Sequence, residues 1–259
     1  MGIIGGALGY KLLQAVAPRE KFLEAEPAKS HPEWETSKLK QFFGVDFFDV
    51  IHQKTVIDFG CGAGFESLEM ARKGAGRVIG LDIQKDLLES ASRNAVDAGL
   101  ADRCEFRSDT SELADIIVSK DAFEHFADPA EILAQMARLL KPKGYVLAAF
   151  GPTWLHPYGG HLFSVFPWSH LIFSESAQIK WRSQIRNDGA TRFSEVAGGL
   201  NQLTIKRFEQ IVAASPLQME WLETVPIRGI SLLKGRLLRE FGSSIVRCKL
   251  STKGGSTTH

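Results

Sequence analysis

Histidine and aromatic side chains alternate in one short stretch of the 259-residue chain. The stretch contains Trp154, His156, Tyr158, His161 and His170. An imidazole exchanges protons near neutral pH, and an aromatic face attracts cations. Since small-molecule sites are mostly apolar with a few polar groups, we expect Trp154, His156, Tyr158 and His170 to bind an organic substrate. The alternative is an aromatic core whose histidines are hydrogen-bonded to their neighbours.

His125, which follows Glu124, is another candidate for proton transfer. We interpret His125 and His161 as the catalytic candidates, because a hydroxyl substrate needs a base to take its proton. A packing or loop-tethering role is the alternative for His125. The histidines show no helical H-x-x-x-H spacing, and the three cysteines form no C-x-x-C pair, so no metal site is predicted.

A glycine-rich turn, Gly60-Cys-Gly-Ala-Gly64, lies between an apolar β-rich run and a helical stretch. Its glycines let the backbone approach a ligand closely, and the following helix directs its N-terminus at that ligand. Asp82 ends the next predicted strand, where a carboxylate accepts hydrogen bonds from a ribose diol. Asp58 precedes the turn and suits an amino-acid group better than a pyrophosphate, whose charge it would repel.

The glycine spacing distinguishes two classes of ligand. Nicotinamide cofactors favour G-x-G-x-x-G, whereas here the third glycine comes one place earlier and Phe65 follows it. The turn and Asp58 together therefore count against a nicotinamide oxidoreductase.

Strands and helices alternate from residue 54 to residue 150 and must position these side chains. The predicted strands are Thr55–Phe59, Arg77–Leu81, Cys104–Phe106, Ala114–Val118 and Tyr145–Phe150. The predicted helices are Phe65–Lys73, Asp86–Ala98 and a third that starts at the Asp128 cap and ends near Leu140, before a turn at Lys141–Gly144. Such alternation is typical of an α/β protein with a parallel sheet covered by helices on both faces.

The flanking segments divide the chain further. We expect an N-terminal helical cap at 1–53, with helices near 5–16 and 34–51, and a main domain at 54–250. Residues 151–203 break the alternation and are rich in aromatic residues and histidine, which predicts a lid insertion after the fifth strand. A helix at Thr204–Ala214 and two closing strands at 218–225 and 244–250 follow. The Gly/Ser/Thr-rich residues 251–259 are predicted to be a disordered tail.

The composition excludes several classes of protein. Hydrophobic residues make up 44% and charged residues 24%, as in ordinary globular proteins. A net charge of +1 predicts no nucleic-acid partner. The apolar N-terminal stretch ends at Lys11 and is too short to span a bilayer, so no stable membrane insertion is expected. Three cysteines without paired spacing predict a cytoplasmic protein.

Four segments together resemble a known family. Val56–Gly64, Gly80–Ile83, Ile116–Pro129 and Leu139–Gly144 are similar to the motifs of class I S-adenosylmethionine-dependent methyltransferases, in the small-molecule, methyltransferase type 11-like branch. The resemblance covers about residues 54–150. It implies a Rossmann-like, seven-stranded, mostly parallel sheet whose last strand is an antiparallel insertion. It also implies S-adenosylmethionine as cofactor, with S-adenosylhomocysteine as product.

The resemblance further implies roles for individual residues. Asp58 would lie near the methionine amino group, the three glycines would wrap the nucleoside, and Asp82 would hold the ribose hydroxyls. Asp109 matches the acid that contacts the adenine amine, with turn chemistry as the alternative. The full set of expected cofactor-binding residues is Asp58, Gly60, Cys61, Gly62, Gly64, Asp82, Ile83, Asp109, Thr110, Ser119 and Lys120. Cys61 is interpreted as a small spacer within the turn.

The function that follows is methyl transfer to a small or medium-sized organic acceptor, with O-methylation favoured over N- or C-methylation. A nucleic-acid methyltransferase is an alternative, but the charge is near neutral and no Asn/Asp-Pro-Pro-Tyr motif follows the fourth strand. A catalytically silent S-adenosylmethionine-binding protein is another. The acceptor, the atom that is methylated, the use of a general base, the oligomeric state and the role of residues 1–53 stay open.

Overall fold

The structure, a computed structural model, describes residues 2–17, 37–186, 188–196, 199–235 and 238–254. The strands in these residues are β1 (Thr55–Phe59), β2 (Arg77–Leu81), β3 (Cys104–Arg107), β4 (Ala114–Lys120), β5 (Leu140–Phe150), β6 (Leu217–Pro226) and β7 (Ser243–Thr252). They form one seven-stranded sheet in the order β3-β2-β1-β4-β5-β7-β6. Strands β1 to β5 pair in parallel, and β7 is antiparallel to both β5 and β6. The predicted Rossmann-like α/β sheet with an antiparallel last strand is confirmed.

Helices cover both faces of this sheet. In the described residues they are α1 (Gly6–Val16), α2 (Lys38–Phe43), α3 (Phe47–Val50), α4 (Phe65–Arg72), α5 (Lys85–Asp97), α6 (Pro129–Leu139), α7 (Ser169–Ile172), α8 (Glu175–Arg182), α9 (Ile205–Ala214) and α10 (Arg239–Gly242). Successive strand residues point to opposite faces. Ile57 and Ile79 therefore pack with α6 and α9 on one face, whereas Val56 and Val78 pack with α2 to α5 on the other.

The predicted helix at 34–51 is wrong as one element. It is two short helices, α2 and α3, because Gly44 between them has a φ of 104° that ends α2. Residues 34–36, the start of that prediction, lie outside the described residues, as does the Pro/Glu-rich part of the predicted cap.

Two predicted boundaries near the sheet are also corrected. The predicted turn at Lys141–Gly144 belongs to β5, which begins at Leu140 opposite Ala114 and resumes at Tyr145 opposite Ile116 after an irregularity. The predicted tail starts too early, because β7 pairs with β6 as far as Thr252. Residues 255–259 of that tail lie outside the described residues.

The 151–203 segment contributes no strand to the sheet in its described residues, and it packs against the N-terminal helix instead. Leu13 of α1 lies in one apolar cluster with Phe173, Ala177 and Trp181. The indole nitrogen of Trp181 donates to the carbonyl oxygen of Ala17 at 2.9 Å. Helix α1 is thus attached to this segment. None of the described helices is long and apolar enough to cross a membrane.

Candidate active site

The glycine turn joins β1 to α4 in a left-handed backbone conformation. The φ angles of Gly60, Gly62 and Gly64 are +86°, +52° and +80°, a region that side-chain-bearing residues rarely adopt. A Cβ at Gly60 would lie 2.8 Å from Ala122, and one at Gly64 would lie 2.7 Å from the Phe106 ring. A Cβ at Gly62 would meet no heavy atom within 4 Å. The outer glycines therefore permit close packing, while Gly62 borders open space.

Asp82, just beyond the end of β2, is fixed against this turn. Its Oδ2 accepts a hydrogen bond from the backbone N–H of Gly62, and its Oδ1 accepts one from that of Gln84, both at 2.9 Å. The next residue, Ile83, is 89% exposed. An anchored carboxylate beside an exposed apolar side chain can bind a diol and a flat apolar ring together.

Asp58 lies beneath the turn and is buried. The hydroxyl of Ser67 in α4 donates to its Oδ2 at 2.6 Å. Burial raises the pKa of Asp58 to about 7, although the Ser67 hydrogen bond opposes the shift. The carboxyl group therefore ties β1 to α4, and its predicted contact with a ligand amino group stays a prediction.

The end of β4 supplies Ser119 and Lys120. The buried hydroxyl of Ser119 donates to the carbonyl oxygen of Phe59 at 3.0 Å, which joins β4 to β1. The Lys120 ammonium pairs with Glu66 at 3.0 Å and Asp121 at 2.6 Å, and its side chain is 10% exposed. Burial opposes its charge, but Glu66 and Asp121 hold the pKa of Lys120 above its usual value.

The remaining cofactor candidates lie at the same edge of the sheet. Asp109 follows β3 and is exposed, and the Thr110 hydroxyl accepts a hydrogen bond from the backbone N–H of Glu112 at 3.0 Å. Cys61 is buried, and its backbone N–H donates to the carbonyl oxygen of Leu81. All the cofactor candidates thus come from the turn and the carboxyl ends of parallel strands, where α/β sheets bind nucleotides.

The two catalytic candidates lie close together, because the 151–203 segment brings His161 next to His125. The ring centroids of His125 and His161 are 5.2 Å apart. Nδ1 of His125 donates to the carbonyl oxygen of Gly199 at 2.9 Å, since a carbonyl oxygen only accepts. Burial lowers the pKa of His161 to about 4, with His125 adding to the shift. His161 is therefore neutral at pH 7, the form that can accept a hydrogen bond.

Glu124 lies beside these candidates, and sequence reasoning named it only as the neighbour of His125. It is buried, its Oε1 accepts a hydrogen bond from the Gly151 N–H at 3.2 Å, and its Oε2 has no partner in the described residues. Burial raises the pKa of Glu124 to about 7. The sequence does not indicate that Glu124 is buried, because a charged residue in a loop at the end of a strand is usually exposed.

The four predicted substrate-binding residues divide into two pairs. His170 donates from Nε2 to the Trp154 carbonyl oxygen at 2.7 Å, and its Nδ1 lies 2.8 Å from the Ser164 hydroxyl. The Trp154 ring packs on His170 at 4.7 Å. Trp154 and His170 thus lie in an aromatic, hydrogen-bonded environment, which was the alternative interpretation of the sequence. Their contact with a substrate stays a prediction. By contrast, Nε2 of His156 is buried with no partner in the described residues, and Tyr158 is 50% exposed.

The fold and the turn define a class of protein. A family model described as a methyltransferase domain matches residues 52–152, which contain β1 to β5 and every cofactor candidate. These residues are therefore similar to a methyltransferase domain.

Individual relatives share this part of the chain. A ubiquinone biosynthesis O-methyltransferase of Aeromonas salmonicida (strain A449) is 32% identical over 145 residues, which are 51% of this chain and 57% of that protein. One of Neisseria meningitidis (serogroup A / serotype 4A) is 37% identical over 100 residues, 36% of this chain and 42% of that protein. The chain therefore matches between two fifths and three fifths of the length of these relatives.

Solved structures show the same fold at low sequence identity. An S-adenosylmethionine-dependent methyltransferase of Mesorhizobium loti superposes with a TM-score of 0.50 at 15% identity, over 77% of this chain and 91% of that one. A second structure is a geranyl diphosphate C-methyltransferase of Streptomyces coelicolor A3(2), solved with Mg²⁺, geranyl diphosphate and S-adenosyl-L-homocysteine. It superposes with a TM-score of 0.51 at 18% identity, over 77% of this chain and 72% of that one.

Proposed function

We propose that this protein transfers a methyl group from S-adenosylmethionine to an oxygen of a small or medium-sized organic acceptor. The observation that carries the proposal is the glycine turn, whose open position at Gly62 lies beside the anchored carboxylate of Asp82. A nucleoside fits there, because the backbone can approach it and the carboxylate can accept hydrogen bonds from its ribose. Relatives that are named O-methyltransferases support oxygen as the acceptor atom.

The other donor-side residues suit the rest of the cofactor. Ile83 offers an exposed apolar side chain to the adenine ring, and Asp109 offers a carboxylate to its amine. Asp58 lies under the turn and can accept a hydrogen bond from the methionine ammonium, whose positive charge would favour the ionised carboxylate. Ser119 and Lys120 keep the end of β4 in place beside it.

The sulfonium supplies an activated methyl group, so the chain's main task is alignment of the acceptor for in-line displacement. A hydroxyl acceptor must also lose its proton. His161 is neutral at pH 7. In His125, Nδ1 donates to the Gly199 carbonyl oxygen, so Nε2 of the same ring does not contact that carbonyl. Either imidazole can take the proton from the acceptor hydroxyl.

The proposal extends to the setting of the enzyme. The acceptor is expected to be a small molecule and not a nucleic acid, in agreement with the near-neutral charge. All three cysteines, Cys61, Cys104 and Cys248, are buried free thiols, which supports the predicted reducing cytoplasm.

Calorimetric titration with S-adenosylmethionine and with NADH tests the donor. We expect micromolar binding of S-adenosylmethionine, weakened at least tenfold by Asp82→Asn, or about 1.4 kcal/mol. Asp86→Asn is the matched control, because Asp86 is exposed in the first turn of α5. Binding of NADH instead would overturn the proposal.

A panel of phenols, amines and thiols with labelled S-adenosylmethionine tests the reaction. Labelled product from a phenol supports O-methylation, and product from an amine alone contradicts it. Donor binding without turnover on any class would identify a catalytically silent binding protein.

A further inference from the structure

Glu124, His125 and His161 converge although they come from two separate parts of the chain. One side-chain ligand atom from each lies within 4.8 Å of the other two. Glu124 and His125 follow β4, and His161 begins a short 3₁₀ helix in the 151–203 segment. No metal site is predicted from the spacing of the histidines in the sequence, because the fold joins His161 to residues that lie 36 and 37 positions earlier in the chain.

The three side chains have ligand atoms to offer. Oε2 of Glu124 and Nε2 of His161 are buried and make no hydrogen bond with the described residues. Nδ1 of His125 donates to the Gly199 carbonyl oxygen, so Nε2 carries the lone pair of the neutral ring and is free to act as a ligand. Buried polar atoms usually have partners, so the two unpartnered atoms of Glu124 and His161, which converge with the half-buried His125, indicate a missing common partner.

The supporting contacts are those of a metal site. A ligating imidazole commonly donates its other ring N–H to a backbone carbonyl, which fixes the tautomer and the ring orientation. His125 makes this contact with Gly199. The ligating carboxylate is commonly hydrogen-bonded as well, and the Gly151 N–H donates to Glu124 Oε1. His170 differs, because both of its ring nitrogens already have partners.

We propose that Glu124, His125 and His161 bind one divalent first-row transition-metal ion, such as Zn²⁺ or Mn²⁺, where the residues after β4 meet the 151–203 segment. Two imidazoles and one carboxylate suit such ions. Three protein ligands leave a coordination position for the acceptor. Ligand atoms that lie within 4.8 Å of one another need at most a small approach to share an ion at metal–ligand bonds of about 2.1 Å.

The proposed ion restricts the acceptor class, an extension that rests on the proposed methyl transfer. An ion that coordinates a hydroxyl oxygen lowers its pKa. With His125 and His161 bound to the ion, neither imidazole takes the acceptor proton. The acceptor O–H bond breaks with its proton passing to water, an O–CH₃ bond forms, and the methyl–sulfur bond breaks with its electrons staying on sulfur. The oxidation state of the metal does not change. Acceptors with an ionisable oxygen, such as phenols and enols, are expected over amines, which are already nucleophilic without the ion.

The test is metal binding by the full chain, measured after treatment with a chelator. Co²⁺ serves as the probe, because its visible absorption reports coordination by nitrogen and oxygen ligands. We expect one Co²⁺ per chain, displaced by Zn²⁺. His161→Asn keeps a residue that tolerates the φ of +51° at this position, and Glu124→Gln keeps the acceptor for Gly151. Each variant should weaken Co²⁺ binding at least tenfold.

His156→Asn is the matched control for metal affinity, because His156 is a nearby histidine with an unpartnered Nε2 that is outside the cluster. Circular dichroism and binding of S-adenosylhomocysteine verify that each variant is folded. A wild-type chain that binds S-adenosylhomocysteine but no Co²⁺ overturns the metal site and leaves the donor proposal intact. Co²⁺ binding without donor binding contradicts the proposed function and leaves the metal site. Loss of Co²⁺ in His156→Asn, with full binding in His161→Asn, overturns the ligand set.

Discussion

The donor side and the acceptor side of the candidate site satisfy their polar groups differently. The donor side consists of the glycine turn and the ends of β1 to β4. Here both carboxylate oxygens of Asp82 accept hydrogen bonds from backbone N–H groups. The acceptor side consists of Glu124, His125 and the 151–203 segment. Here three buried atoms have no hydrogen-bond partner in the described residues: Glu124 Oε2, His156 Nε2 and His161 Nε2. The donor side is thus preformed, while the acceptor side offers polar atoms to a ligand.

The two sides also rest on different scaffolds. Donor-side residues are set by the register of parallel strands, and the family model covers that part of the chain, residues 52–152. On the acceptor side, Glu124 and His125 follow β4 within the same range, but the other residues belong to an irregular segment that packs on α1. A change in the 151–203 segment can therefore alter the acceptor without disturbing the donor, and the following predictions test that independence.

Gly64→Ala should have the largest effect. A Cβ there would lie 2.7 Å from Phe106 and 2.9 Å from Ala91, at a φ of +80°. Backbone strain of about 1–2 kcal/mol and overpacking of about 1–3 kcal/mol should together lower the free energy of unfolding by roughly 3 kcal/mol in urea. Gly62→Ala, with open space around it, should lose about 1–2 kcal/mol and mainly donor affinity. Equal loss of stability in the two variants would contradict the separate roles of these glycines.

The pH dependence of stability should reveal one buried acid on each side. Asp58 and Glu124 have pKa values raised to about 7 by burial, whereas the unfolded chain ionises near pH 4. Between these values the unfolded chain binds fewer protons, so the free energy of unfolding should fall as pH rises from about 4 to 7 and then level off. From the size of the shifts, the fall should be roughly 4 kcal/mol for Asp58 and roughly 3 kcal/mol for Glu124.

Asp58→Asn and Glu124→Gln should each remove part of that fall, measured by urea unfolding at several pH values. Asp58→Asn keeps an oxygen to accept the Ser67 hydroxyl. A pH profile that neither variant changes would contradict the assignment of the two acids.

Trp181→Phe should affect the acceptor side alone. It removes the N–H that donates to Ala17 and part of the packing between α8 and α1, which should lower stability by about 2 kcal/mol. We expect a higher KM for the acceptor and a donor Kd within twofold of wild type. An equal change in both constants would show that the two sides are coupled.

Asp128→Ala should have the smallest effect. Asp128 caps α6 by accepting from the backbone N–H groups of Ala130 and Glu131, and loss of such a cap costs about 1 kcal/mol. Thermal unfolding should register that change, while the donor Kd and the acceptor KM stay within twofold. A large change in either constant would place the start of α6 in the site.

Sequence reasoning worked best where local rules and tertiary packing agree. The bounds of β1 and β2 match their predictions because short Val/Ile runs end at glycine or an acid. It failed at Lys141–Gly144, because pairing with β4 extends β5 through residues with turn character. It also missed Ser67, which binds Asp58, and Glu66, which pairs with Lys120. The sequence of an amphipathic helix does not indicate which residue each polar side chain contacts.

The sequence by itself determined the alternating α/β order, the glycine turn and the acid after β2, because these depend on local conformation and short spacing. Only the tertiary structure decided that Glu124, His125 and His161 meet and that His170 is fully hydrogen-bonded. The physical reason is that burial and partner choice depend on how an irregular segment folds back over the strand ends. Residues far apart in sequence become neighbours there, and no local periodicity specifies which of them do.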